Sequence, residues 1–332
     1  QLYLLLQILT QISINLVVSR RVDKEFPYLK DEKRLPSKEE RSGIMKNILA
    51  LSMHRLGSAV VNSTDNLLMS AFVGLTSVGI YSNYKLVIKS LSDLLNKVYT
   101  AFTGSIGNLG ATQDPAYIYR IYKQLDFFLF LLFGYFSAGM VVLFNPFIKL
   151  MFGEEYLFSQ AVVIIVVVQF YITGMRQINL QFREAMGLFW YDRYKPVAES
   201  IINLVVSILL VQRYGVAGVF LGTIVSTMTT CFWVEPYILM KYGLKEQWQE
   251  KLRDYFIEYG RRALTVVGGS IVGLCFTGGM RDSFLWFILK GILFTVEYAA
   301  LIFLTYARSE EFEALLEHGK NFLKQRLDRK KT

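Results

Sequence analysis

Two histidines and two cysteines occur in 332 residues, and that scarcity removes several kinds of chemistry at once. Cys231 and Cys275 lie inside apolar runs, where neither a disulfide framework nor a metal site has support. With only His54 and His318 there is no His and Cys ligand cluster, and His54 has no carboxylate or thiol at ligand spacing, so no metal ligands are expected. No GxSxG, Walker loop, HExxH or acidic metal motif is present, so no catalytic residue is assigned and the chain does not read as an enzyme. Charge is scarce as well: charged residues make up 19%, against 53% hydrophobic and 15% aromatic. With a mean hydropathy of +0.35, this is the composition of a polytopic membrane protein rather than a soluble domain.

What is abundant is long apolar runs. Nine helical spans, each of the length needed to cross hydrocarbon, are expected over 1–19, 43–72, 77–107, 120–143, 158–182, 196–212, 216–239, 263–278 and 284–306. The formal charge of +9 is unevenly spread along this map. Of 36 Lys and Arg, 27 fall in the alternate loops 20–46, 108–123, 183–195 and 240–262 and in the tail from Arg308. The opposite loops hold only Lys149, Arg213 and Arg281, an asymmetry that puts the C-terminus on the cytoplasmic side. The basic clusters therefore read as membrane-surface charge, and no nucleic acid partner is expected.

The punctuation is consistent with that map. Gln212-Arg213-Tyr214-Gly215 is an external turn, Asn145-Pro146 is expected to end a helix, and Gly278-Gly279 opens the last external turn. Residues 22–42 form a linker of mixed charge broken by Pro27 and Pro36, and 243–262 reads as an amphipathic cytoplasmic helix on the membrane surface. The tail, 307–332, is basic, with Ser309 as the expected N-cap of its helix. Residue 1 is Gln, already within an apolar run, and the chain reads as the later part of a longer protein.

Ionisable residues inside spans are costly and point to function. Lys85, Lys89, Asp93 and Lys97 follow one another at i+4 steps on a single helical stripe. Lys is a compact point charge suited to phosphate, so Lys85, Lys89 and Lys97 are expected to line a wet cavity that handles an anion, with Asp93 in charge balance. Arg55 and Arg176 are candidates for the same cavity. Arg176 is expected to face either that cavity or a carboxylate such as Asp126. Asp65, near Asn62 and a local cap at Ser63-Thr64, is read as a gating residue or a structural one at a helix break. Glu199 and Asn203 step by four, and Thr227 lies on the next span, so their oxygens could hold a coupling sodium ion or a proton; no other cofactor is expected. Lys290 and Glu297, seven apart, are expected to pair.

Two stretches carry a family likeness. Asn62 to Tyr84, NSTDNLLMSAFVGLTSVGIYSNY, and Gly187 to Ser226, GLFWYDRYKPVAESIINLVVSILLVQRYGVAGVFLGTIVS, resemble bacterial polysaccharide flippases of the Wzx type. These belong to the multidrug/oligosaccharidyl-lipid/polysaccharide exporter superfamily. The resemblance implies an all-α membrane fold in which 1–21 is the last helix of an N-terminal lobe, 43–242 the second six-helix lobe, and 263–306 two additional helices. It also implies a function: moving undecaprenyl-pyrophosphate-linked oligosaccharide across the bacterial cytoplasmic membrane for capsule, exopolysaccharide or O-antigen assembly, by alternating access. The implied partners are the lipid-linked oligosaccharide, the bilayer, and the polysaccharide polymerase and glycosyltransferases of that assembly. The family carries no fixed catalytic set.

Other readings stay open beside it. A lipid II flippase or drug exporter of the same superfamily is one, although a cation exporter would favour acidic cavity residues over the lysine row. A membrane polymerase or ligase is another, but it expects a large external loop, and the external loops here are short. A purely structural membrane scaffold is the third.

Overall fold

The computed structural model describes residues 2–30, 37–112, 114–281 and 283–328. Among these residues every regular element is helical, as an all-α membrane protein requires. The chain divides into two compact units, 1–48 and 49–332. The first contains α1 (Leu2–Glu25) and the start of α2 (Lys38–Leu68). Ser37 and Glu40 open α2 as a reciprocal capping box, with Glu40 N donating to Ser37 Oγ at 3.1 Å and Ser37 N to Glu40 Oε2 at 2.7 Å.

The second unit holds the rest of α2 and eleven further helices. These are α3 (Leu75–Thr100), α4 (Thr103–Thr112), α5 (Pro115–Phe152), α6 (Gln160–Met175), α7 (Gln177–Ala185), α8 (Lys195–Tyr214), α9 (Val216–Thr229), α10 (Cys231–Ile238), α11 (Trp248–Thr277), α12 (Phe284–Tyr306) and α13 (Glu310–Asp328). Five segments are long and apolar enough to cross a membrane: α5, α6 with α7, α8, α9 through residue 244, and α12. Each coincides with an expected span. The other four expected spans fall on α1, α2, α3 with α4, and α11. Of these, α2 and α3 carry the in-span charges noted above, and α11 begins within the basic stretch before residue 263, which lowers their hydropathy.

Two expected helix ends are corrected. α5 does not stop at Asn145-Pro146 but continues to Phe152 with Pro146 inside it. Around the turn in which Pro146 offers no N–H, Gln160 Nε2 donates to Val141 O at 2.8 Å and Asn145 Nδ2 donates to Phe158 O at 3.1 Å. Nor does α2 break at Asp65. It continues to Leu68, with Thr64 Oγ1 bonded back to Val60 O at 2.8 Å, and the irregularity comes later, as a π turn over Met69–Val73. The stretch expected as a surface helix over 243–262 and the span over 263–278 are joined in one helix, α11.

Packing follows from aromatic content and small residues. Phe127, Phe130, Phe294, Tyr298 and Tyr306 are buried together between α5, α11 and α12. α8 and α9 form a close hairpin around Gly215, whose φ of 56° suits glycine at the turn. A Cβ on Gly218 would stand 2.2 Å from Leu210 O, and one on Gly222 would stand 2.0 Å from Ser207 Oγ, so only glycine permits this backbone approach. Ser309 accepts Phe312 N at 3.3 Å and starts α13, the tail helix, as expected.

Candidate functional site: a charged network facing a polar cavity

The site is built where two apolar segments are interrupted. α6 ends at Met175 and α7 begins at Gln177, leaving Arg176 at the junction. α9 ends at Thr229, and Glu235 sits in the short α10 immediately before Pro236. Arg176 donates from Nε to Glu235 Oε2 at 2.9 Å and from Nη2 to Glu235 Oε1 at 2.7 Å, and its Nη1 lies 3.8 Å from Glu199 Oε1. This fork-to-fork geometry suits a planar guanidinium. The sequence left two directions open for Arg176; it lines the cavity, and its carboxylate is Glu235 rather than Asp126, which pairs with Arg262.

The loop before α8 extends the network. Gly187, at φ 67°, turns the chain out of α7. Arg193 covers Trp190 and Tyr194 with ring distances of 4.0 and 4.5 Å, which fixes the loop and leaves Asp192 pointing inward. Lys195 Nζ donates to Glu235 Oε1 at 2.5 Å and lies 3.4 Å from Asp192 Oδ2. Asp192 also pairs with Arg183 and lies 3.0 Å from His54 Nε2. Burial alone would raise the Asp192 pKa, but the His54 hydrogen bond and the charges of Arg183 and Lys195 outweigh it and hold the carboxyl below the usual aspartate range. Cations and carboxylates thus alternate from Glu199 to Arg183, the arrangement that lets charged groups survive burial.

The network forms one wall of a polar cavity of about 700 Å³. His54, Arg55, Arg176, Arg183, Lys195 and Glu199 all line it. Of the expected anion-binding residues, Arg55 and Arg176 are therefore brought together. Lys85, Lys89 and Lys97 are exposed on α3, away from this wall. Lys85 Nζ donates to Asn66 Oδ1 at 3.2 Å, and Lys89 pairs with Asp93 at 2.8 Å.

The expected ion-coupling set divides in two. Thr227 Oγ1 reaches Glu199 Oε1 at 3.4 Å, beside the cavity. Asn203 instead donates to Thr223 Oγ1 at 2.9 Å, and Thr223 donates to Asp65 Oδ1 at 3.1 Å. Asn203 is fully buried, with its Oδ1 unpartnered and its Nδ2 on Thr223, so Asp65, Thr223 and Asn203 make a small buried polar chain of the kind that could take a proton or a cation. Among the described residues no three His, Cys, Asp or Glu side chains stand together as a metal site.

Sequence reasoning did not find Glu235, Asp192, Arg183 or Lys195 as a functional group. The available signal was a lone carboxylate in the apolar run CFWVEPYIL, which needs a cation. No protein-family model matches the chain, and no curated protein and no solved structure matches it either.

Proposed function

We propose that this chain forms the second helical lobe and two following helices of a flippase that moves undecaprenyl-pyrophosphate-linked oligosaccharide from the inner to the outer leaflet of a bacterial cytoplasmic membrane. In this reading the nine expected spans cross the membrane with the C-terminus inside, and no covalent step occurs. Cargo and protein cooperate physically: an anionic head group with its sugars needs a wet, charged path through hydrocarbon, and alternating access supplies one.

The observation that carries the reading is the polar cavity, with Arg55 and Arg176 in its wall, in a chain with five segments long and apolar enough to cross a membrane. The exposed row Lys85, Lys89 and Lys97 adds a second cationic surface, suited to the facing wall of a two-lobed path. The Asp65, Asn203 and Thr223 oxygens supply a place for a coupling cation. The test is translocation of a fluorescent lipid-linked oligosaccharide in vesicles containing the full-length protein. Transport that depends on the protein supports the reading, and its absence under an imposed sodium or proton gradient removes it.

A further inference from the structure

α3 carries a second face beside its lysine row. Tyr81, Ile88, Ser92 and Tyr99 are spaced so that they share one face, whereas Lys85, Lys89, Asp93 and Lys97, advancing by four at every step, wind away from it. The shared face borders a separate cavity of about 230 Å³, whose other walls come from Phe133 of α5 and from α6 and the start of α7. Gly174 lets the floor form, because a Cβ there would stand 2.0 Å from Phe133 Cδ1. The Phe133 ring in turn lies 5.4 Å from that of Phe170 and 6.5 Å from that of Tyr99.

The polar groups of this cavity are unspent and within reach. Ser92 Oγ, the Gln169 amide and the hydroxyls of Tyr81 and Tyr99 make no hydrogen bond among the described residues, and Gln177 uses only its Nε2, on Thr173 O at 3.0 Å. These five side chains are half-buried, and none has a polar atom sealed off as the hydroxyls of Tyr171 and Tyr259 are. An amide and three hydroxyls both donate and accept. Among the described residues no Asp, Glu, Lys, Arg or His lines the cavity. An ion entering it would lose hydration without meeting a counter-charge.

Aromatic faces beside neutral groups that donate and accept suit a ring with C–H faces and an edge of hydroxyls. The volume is below the roughly 300 to 1,000 Å³ of drug-sized sites, so it takes one ring rather than a chain. We propose that this cavity binds a single uncharged pyranose, packed on Phe133 and Tyr99, with its hydroxyls on Ser92 and Gln169. The site is distinct from the charged cavity: Arg176 lines that one, and the next residue, Gln177, lines this one. It rests on the flippase reading for one thing only, the source of the ring, which is either a sugar residue of the cargo or a free sugar. All its residues lie within 49–332.

The experiment is saturation-transfer NMR on the purified full-length protein in a sugar-free zwitterionic detergent. The probes are methyl glucoside, methyl N-acetylglucosaminide and, as the charged counterpart, glucuronic acid. At least one neutral glycoside should bind, and more tightly than glucuronic acid. Gln169→Leu and Ser92→Ala should each weaken that binding about threefold to tenfold, the loss of a neutral hydrogen bond, with melting temperatures measured on the same samples. Displacement by a lipid-linked oligosaccharide assigns the ring to the cargo, and its failure assigns it to a free sugar. No neutral binding, glucuronic acid bound as tightly, or native affinity in both variants overturns the site. If lipid-linked oligosaccharide is still transported in that case, the flippase reading stands without it. If glycoside binding depends on Gln169 while no lipid-linked oligosaccharide is transported, the site stands and the flippase reading falls.

Discussion

Arg176 holds Glu235 with two hydrogen bonds, 2.9 and 2.7 Å long, across a separation of 59 residues. That pair joins the break between α6 and α7 to α10, and Lys195 joins it from α8 at 2.5 Å. Removing one partner from a buried pair strands the others. Glu235→Ala should therefore cost about 3–5 kcal/mol of stability. Replacing Glu235 by Leu together with Arg176→Met and Lys195→Met should recover most of that loss, because the desolvation cost is removed along with the attraction. Thermal melting of the purified variants checks both, and native melting of Glu235→Ala would sink the argument.

Asp192 gives a pH dependence with a defined sign. Its folded pKa lies below the ordinary value of 3.8, so its contribution is fully present above that value and is lost as pH falls through the lowered one. The difference in melting temperature between the native protein and Asp192→Asn should stay constant from about pH 8 to pH 5, as far as Asp192 alone determines it. A difference that disappears on going from pH 8 to pH 6 would assign the effect to another group.

The parts of this fold legible in the sequence are those written locally. The five apolar segments were marked by length and composition, the Gly215 turn by its residue type, and the start of α13 by Ser309. Asn145-Pro146 misled because proline is a local signal, whereas the contacts that surround it in the continued helix come from Phe158 and Gln160, further along the chain. The site was half legible. Arg55 and Arg176 stood out as charges in apolar runs, whereas their surroundings depend on which helices meet. Arg176 had two distant carboxylates to choose from, and only packing decides that it takes Glu235 and leaves Asp126 to Arg262. The lysine row was read correctly as one face of one helix, but a face does not say what it confronts.

The α8–α9 hairpin makes a packing prediction. Alanine at Gly218 would bring a Cβ to 2.2 Å from Leu210 O, a backbone atom that cannot turn aside. The helices must separate, at a cost of about 1–3 kcal/mol, and Asn203 and Thr223, 2.9 Å apart across this hairpin, should separate with them. Reduced melting temperature in Gly218→Ala, with Gly279→Ala, where a Cβ meets nothing within 4 Å, as the control, is the expected result. Equal melting of the two would show that the hairpin is not closed by glycine.

Orientation is tested by labelling. Ser37, at the start of α2, and Ser283, at the start of α12, are both exposed. With the proposed topology, a membrane-impermeant thiol reagent applied to intact cells should modify cysteine at 283 and not at 37, in a background where Cys231 and Cys275 are replaced. Modification at 37 alone reverses the orientation.

The lysine row supplies the last prediction. Lys85, Lys89 and Lys97 are exposed, and the Lys89–Asp93 pair is a surface i,i+4 contact, worth about 0.3–0.5 kcal/mol. Lys85→Gln and Lys89→Gln should consequently leave the amount of folded protein unchanged, which makes them clean probes of binding. If the row contacts the diphosphate of the cargo, each lysine supplies a charge-assisted hydrogen bond worth about 1.5–3 kcal/mol, and each loss should weaken affinity about tenfold to a hundredfold. Arg at these positions should restore part of it, since charge matters more than donor geometry, and neutralising Asp93 should tighten binding by raising the local potential. Membrane abundance and lipid-linked oligosaccharide affinity, measured on the same samples of the full-length protein, separate binding from folding. Native affinity in both Gln variants would leave Lys85 and Lys89 on a solvated helix face and confine anion recognition to the cavity lined by Arg55.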